Sequence, residues 1–325
     1  MTDNLSPENS RRKFVKNAAS LASLAAIAGL ASNPLSADAH TNSPKDKKTK
    51  IAVVTGAARG MGRSICLALA KEGMTIHGID ILDKVSNVVE YKPSTPADIL
   101  ETQKLVEAAG QKFTYSKADI RDLAALNKVA AELKAKYGHV DVLVADAGVQ
   151  AFSSIVDSTP EHWNTIIGTN VIGTANTMIA FLPLIIPQKM GKVVILASTQ
   201  GMRGMWNGAA YAASKWGLVG LAKSVAIEMG PHHINVNVVV PGLVNTEMTH
   251  NLKRWQVAMG PGYENAQVTE AQVSEVLSKK DALGLPWVEA DDIAPAVVFL
   301  TSDAANKITG AVYDVAAGTS TVYTS

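Results

Sequence analysis

The stretch Ile51-Ala52-Val53-Val54-Thr55, running straight into Gly56-Ala57-Ala58-Arg59-Gly60-Met61-Gly62, constrains this chain more than any other. A short apolar run ending in a threonine reads as a buried strand, and the residues after Gly62 carry a helical pattern to about Lys71. Strand, glycine turn and helix in immediate succession leave little freedom. The glycines let the backbone come close to a pyrophosphate, which then sits on the helix N-terminus, where unpaired N–H groups and the helix dipole favour an anion. Such a turn belongs to a parallel sheet wound with helices.

The next strand, Thr75 to Ile79, ends at Asp80. An acid at this place accepts hydrogen bonds from both adenine-ribose hydroxyls and repels a 2′-phosphate, which predicts NAD over NADP. Arg59 in the glycine turn is the counter-signal, because a basic group there can meet a phosphate. The segment from Ile81 to Ser94 is far longer than an ordinary strand-to-helix loop. It reads as a surface decoration or as a flap over the cofactor. The helix that follows is well marked, with Thr95 as N-cap, Pro96 at the first position, Asp98 in the first turn and Gly110 beyond the end.

The stretch from Lys192 to Met229 carries the chemistry. Val193 to Ala197 is an apolar strand that delivers Ser198; a glycine-rich turn follows, and Tyr211 opens a long helical pattern with Lys215 four residues on. Residues four apart share a helix face, so the Lys215 ammonium is expected beside the Tyr211 phenol. There it would favour the phenolate and lower a pKa that ordinarily stands near ~10. A tyrosine so placed can take a proton from an alcohol or return one to a carbonyl.

Strand and helix patterns alternate through the rest of the chain. Phe113 to Ala118 is a strand ending at Asp119, and Leu123 to Tyr137 an amphipathic helix. Val140 to Val144 is a strand closing in Asp146-Ala147-Gly148, and a helix from about Trp163 to Leu184 contains Asn170. Ile234 to Val240 is a strand followed by Pro241-Gly242-Leu243-Val244-Asn245-Thr246. Met248 to Trp287 is weakly periodic, Asp291 to Thr301 is a last helix and Ala311 to Val315 a last strand. The predicted fold is a single doubly wound α/β domain over residues 50–325, a mostly parallel sheet with helices on both faces.

Composition narrows the function classes. A net charge of +1 gives no electrostatic reason to expect nucleic acid or a membrane surface as partner. One cysteine, Cys66, excludes an internal disulfide and a cysteine-rich metal site, and no metal is expected. Its place in a helical pattern predicts a buried, inert thiol. At the N-terminus, Ser10-Arg11-Arg12-Lys13-Phe14-Val15-Lys16 precedes a short apolar run, Leu21 to Leu30, and then Ala37-Asp38-Ala39. Basic, apolar and small-residue cleavage regions in that order predict an export signal over 1–39. The paired arginines resemble a twin-arginine signal and imply a periplasmic protein. Residues 40–49, Lys-rich with Pro44, read as a linker.

Taken together these residues resemble the short-chain dehydrogenase/reductase family, whose fold is Rossmann-type. Thr55 to Gly62 is similar to its TGxxxGxG cofactor turn, and Asn170, Ser198, Tyr211 and Lys215 to its catalytic tetrad. The family's Asn-Ala-Gly after the fourth strand is Asp146-Ala147-Gly148 here. The resemblance implies Tyr211 as general acid/base, Ser198 as donor to the reacting oxygen, Lys215 on the nicotinamide ribose, and Asn170 anchoring a water that links Lys215 to solvent. It implies NAD contacts from Gly56, Arg59, Gly60, Met61 and Gly62, from Asp80 with Ile81 and Asp119 with Ile120, and from Ala147 and Gly148. Pro241, Gly242, Val244 and Thr246 would hold the nicotinamide end, together with Tyr211 and Lys215. The insertion after Asp80 and the Met248–Trp287 region resemble the mycofactocin-coupled, carveol dehydrogenase-like branch. That likeness implies an NAD that does not leave during turnover and an external electron carrier.

The expected activity is therefore interconversion of an alcohol and its ketone or aldehyde. Met248, Trp255, Met259 and Trp287 suggest an apolar pocket and a hydrophobic or cyclic secondary alcohol as substrate. Small residues on the helix face bearing Ala209, Ala210, Ala213, Gly217 and Gly220 predict close helix pairing and a homotetramer. Two alternatives stand beside this reading: a cytoplasmic dehydrogenase with exchanging NAD(P), and a non-catalytic NAD-binding protein. The intact tetrad argues against the second.

Overall fold

The computed structural model describes residues 49–322. The expected signal at 1–39 and nearly all of the linker at 40–49 lie outside the described residues. Seven parallel strands form one sheet in the order β3-β2-β1-β4-β5-β6-β7. They are β1 (Ile51–Thr55), β2 (Thr75–Asp80), β3 (Phe113–Lys117), β4 (Val142–Ala145), β5 (Gly191–Leu196), β6 (Ile234–Pro241) and β7 (Val312–Val315). The strand order reverses between β1 and β4, and the crevice at their carboxyl ends is where a doubly wound sheet binds its ligand.

Side chains alternate across the strands and feed two cores. Val53, Leu143, Val193, Ile195 and Val236 point to one face, against α3 (Leu123–Tyr137), α5 (Thr174–Ile185) and α6 (Ala209–Met229). Ala52, Val54, Val144, Val194 and Leu196 point to the other, against α1 (Gly60–Lys71), α2 (Pro96–Ala108) and α9 (Ala290–Thr301). Both faces are covered, which is why these strands read as continuous apolar runs. Cys66 is a free, fully buried thiol on α1, and burial raises its pKa.

The expected capping of α2 is present. The Thr95 hydroxyl accepts from the Asp98 N–H while the Asp98 carboxylate accepts from the Thr95 N–H. One expected helix differs in kind. The stretch bearing Asn170 runs from α4 (Pro160–Ile167) through a π-helical turn, Gly168–Gly173, into α5. Pro160–Gln188 is apolar and long enough to cross a membrane, but 61% of its most apolar window is buried within the protein. Met248–Trp287 resolves into two short helices, α7 (Leu252–Met259) capped by Asn251 and α8 (Glu270–Ser278) capped by Thr269.

Candidate active site

At the end of β1 the backbone turns through Gly56 in the left-handed region, with φ of +72°. A Cβ on Gly62 would lie 2.0 Å from the Gly56 carbonyl oxygen, so only glycine lets α1 start this close to the strand. No side chain caps the N-terminus of α1 and no acid occupies its first turn, which leaves its N–H groups for an anion. In front of them opens a cleft of about 440 Å³. Gly56, Arg59, Gly60, Met61, Asp80, Ile81, Asp119, Ile120, Ala147, Gly148 and Thr246 all line it. An approachable glycine turn, an acid at the ribose position and an elongated cleft fit a dinucleotide.

The structure refines several of the expected contacts. Gly62 supports the turn from behind, and Val244 is buried against the core and bridged to Val288; neither lines the cleft, and nor does Pro241. The Asp80 carboxylate already accepts from the Ala58 N–H at 3.0 Å, the Leu82 N–H at 3.1 Å and the Ser94 hydroxyl at 2.6 Å. A carboxylate has about four acceptor sites, and three of them are engaged by the protein itself. Asp119 is gripped by Arg121, whose Nε and Nη2 donate at 3.0 and 2.6 Å. The Arg59 guanidinium, on the cleft wall, donates to the carbonyls of Lys92 and Pro93.

Those contacts define the 81–94 segment. Arg59 holds its far end, Ser94 ties it to Asp80, Arg121 donates to the Val85 carbonyl, and the Ser86 hydroxyl donates to Glu161. Val85, Val89, Tyr91 and Pro93 form a wall of the cleft, and Val88 packs on the cluster that contains Tyr211. The segment is thus built into the wall of the cofactor cleft.

The tetrad lies behind the cleft wall: Asn170 Oδ1 and Lys215 Nζ stand 3.2 and 3.7 Å from where a Cβ of Gly148 would lie. Ser198 follows β5, Tyr211 and Lys215 sit in the first turns of α6, and all three are buried. The Ser198 hydroxyl, which accepts from the Gln200 N–H at 3.2 Å, faces the same cavity as the Tyr211 phenol. Lys215 Nζ lies 5.6 Å from the centre of the Tyr211 ring and donates to the Leu196 carbonyl at 3.0 Å. The expected electrostatics need correction here. The Tyr211 pKa is raised and not lowered: burial pushes it up, and the Ser198 hydroxyl and the Arg254 guanidinium oppose that rise. Lys215 is itself desolvated, which brings its pKa down to about 8 against the pull of Asp146. Both ends of the Asn170 amide are committed: Oδ1 accepts from the Val149 N–H, and Nδ2 donates to the Val149 carbonyl and the Ser214 hydroxyl. It clamps the loop after β4 behind Gly148.

Asp146 lines the cleft floor with its Oδ1 enclosed and unpartnered. Burial, with Asp80 adding to it, pushes its carboxyl up to about 7, while Lys215 and the Gly62 N–H pull the other way.

A second cavity is lined by Tyr211, Ser198, Gln150 and Gly242. Its apolar lining comes from Leu243, Leu277 and Pro286 and not from the four residues expected. Met248 belongs to the cofactor cleft, and Trp255 and Trp287 stand edge-on to the His250 ring at 5.0 and 5.6 Å. Met259 lines neither cavity. The second cavity also presents Arg203, Arg254, Lys280 and Asp281, which sequence reasoning missed.

Comparison with known proteins agrees with this geometry. The family model for short chain dehydrogenases matches residues 50–257, and the chain belongs to that family. (-)-trans-Carveol dehydrogenase of Rhodococcus erythropolis is 34% identical over 272 residues, 83% of this chain and 97% of its own. Carveol dehydrogenase of Mycobacterium avium in complex with NAD superposes with a TM-score of 0.79 at 33% identity, over 83% of this chain and 97% of that one. A short chain dehydrogenase of Mycobacterium paratuberculosis bound to NAD gives 0.76 at 38% identity, over 84% and 98%.

Proposed function

We propose that this chain is an NAD-dependent oxidoreductase that interconverts a secondary alcohol and its ketone, with NAD held beneath the 81–94 flap. The observation that carries the reading is the placement of Ser198 and Tyr211 on the wall of the second cavity, with Lys215 one helical turn from Tyr211 and its Nζ 3.7 Å from where a Cβ of Gly148, a residue of the glycine-turn cleft, would lie. Bound NAD supplies the hydride acceptor; the protein's own part is proton transfer and orientation. In the oxidising direction Tyr211 takes the alcohol's proton, helped by the Ser198 hydroxyl and by Arg254. In the reducing direction the buried phenol holds its proton until the developing alkoxide takes it, and Ser198 donates to the same oxygen. The test is turnover of an alcohol panel with NAD and an artificial electron acceptor. Tyr211→Phe is expected to lower turnover by roughly 10²–10⁴-fold with NAD still bound; near wild-type turnover would remove Tyr211 from the mechanism.

The flap's four tethers support slow release of NAD, and with it re-oxidation by an external, mycofactocin-like carrier instead of by exchange. Export over the twin-arginine route, which carries folded proteins, would suit an enzyme that must load NAD before reaching the periplasm. Protein isolated without added cofactor should yield NAD on denaturation, and a periplasmic fraction should contain it. Ile172, Ile179, Trp216 and Ile227, on the π turn, α5 and α6, are exposed. Together with exposed Ala209, Ala213 and Gly220 they support pairing of these helices in a homotetramer; Ala210 instead packs inward beside Tyr211. A monomeric mass by light scattering would contradict that assembly.

A further inference from the structure

The second cavity holds a buried charge without a partner. Arg254 on α7 is only 8% exposed, its Nε is enclosed with no hydrogen bond, and among the described residues its guanidinium forms no ion pair. Buried charges are ordinarily paired, since desolvating one alone is strongly unfavourable. The surroundings add to the imbalance. Arg203 and Lys280 face the same space, while among the described residues Asp281 is the one carboxylate on its wall and accepts from the Thr319 hydroxyl. Burial and Arg203 both bring the Arg254 pKa down, to about 10, and Lys280 is lowered by burial and by both arginines. Arg254 therefore faces Lys280 and Arg203 and no carboxylate that pairs with it among the described residues, in a cavity that also exposes Ser198 and Tyr211. Gln150, on the same wall, has an enclosed and unpartnered side-chain oxygen. The cavity is small, about 70 Å³, and a guanidinium presents a planar fork matched to a carboxylate.

We propose that this cavity is the substrate site and that it selects hydroxy acids and their oxo acids. The substrate carboxylate sits on Arg254, and the carbinol or carbonyl oxygen sits on Ser198 and Tyr211. The assignment rests on the oxidoreductase reading above and adds the substrate class to it. The stoichiometry is that of any secondary alcohol: the carbinol carbon gives a hydride to NAD⁺, its hydroxyl gives a proton to Tyr211, and the carboxylate passes through unchanged.

The test compares matched pairs on the protein as isolated, with NAD and dichlorophenolindophenol as final acceptor. The pairs are 3-hydroxybutyrate with 2-butanol, 4-hydroxypentanoate with 2-pentanol, and 3-hydroxycyclohexanecarboxylate with cyclohexanol; trans-carveol serves as a further uncharged alcohol. The acid of at least one pair is expected to win in kcat/KM by roughly 10²-fold, mainly through KM, as removal of a charged hydrogen-bond partner implies. Arg254→Met should collapse that ratio to within about threefold, and Arg254→Lys should keep part of it. The ratio is the readout because any effect of Arg254 on Tyr211 acts on both members of a pair and cancels. Equal or better turnover of the uncharged members, or a preference that survives Arg254→Met, overturns the proposal. Calorimetric titration with 4-oxopentanoate separates the two readings. Binding lost in Arg254→Met and kept in Arg254→Lys supports the anion site even if every alcohol fails as substrate, an outcome that would sink the oxidoreductase reading instead. No binding to the wild-type protein overturns the anion site.

Discussion

Asp146→Asn is expected to stabilise the protein above neutral pH and to leave it unchanged in acid. In the folded chain burial, with Asp80 adding to it, pushes the Asp146 carboxyl from its ordinary 3.8 up to about 7, with Lys215 and the Gly62 N–H opposing. A raised folded pKa means that the native state keeps a proton which the unfolded chain releases. Between about pH 4 and pH 7 stability therefore falls as pH rises, and the loss is complete above 7. Below about 4 both states are protonated and the group contributes nothing. At about 1.36 kcal/mol per pKa unit the full shift corresponds to roughly 4 kcal/mol. The residue borders an open cleft, where water offsets part of the desolvation, so roughly 2 kcal/mol is the expected size. For a domain of this length that is about 4–6 °C in Tm. Asparagine keeps the shape and removes the ionisation. Thermal unfolding of nucleotide-free protein at pH 4.5, 6 and 8 should show the two curves coinciding at low pH and diverging at high pH, the variant higher. Parallel pH dependences would refute a buried, perturbed carboxylate at this position.

Two further outcomes follow from the cleft. Arg59→Met removes the donor to the Lys92 and Pro93 carbonyls while keeping most of the stem's packing. Loss of NAD on dilution should speed up by about tenfold, read by fluorescence of the released nucleotide; an unchanged rate would show that the flap does not gate release. Gly62→Ala places a methyl 2.0 Å from the Gly56 carbonyl oxygen, which is backbone and cannot yield. Overpacking of that kind costs about 1–3 kcal/mol or more, so a lowered Tm and weakened NAD binding are expected together; a variant with wild-type values for both would contradict the close turn.

Much of this protein is local and therefore written along the chain. The alternation of strand and helix depends on periods of two and 3.6 residues, so β1, α1, the capped start of α2 and α3 lie where the pattern of Ile51–Lys71, Thr95–Asp98 and Leu123–Tyr137 puts them. The pairing of Tyr211 with Lys215 is also local, since four residues make one helical turn. What the tertiary structure decided is where long side chains end and which distant ones meet. Arg59 reads along the chain as a phosphate partner, and its length allows a second one that only the folded flap supplies. The π turn at Asn170 has no residue signature, because it depends on how the Asn170 amide is gripped by Val149 and Ser214 from other elements. The charged cavity is the largest case. Arg203 follows β5, Arg254 sits on α7 and Lys280 lies past α8, in stretches with weak periodicity of their own. Only their convergence beside Tyr211 gives those charges a chemical meaning, and burial, which sets their energies, is a property of the packed chain alone.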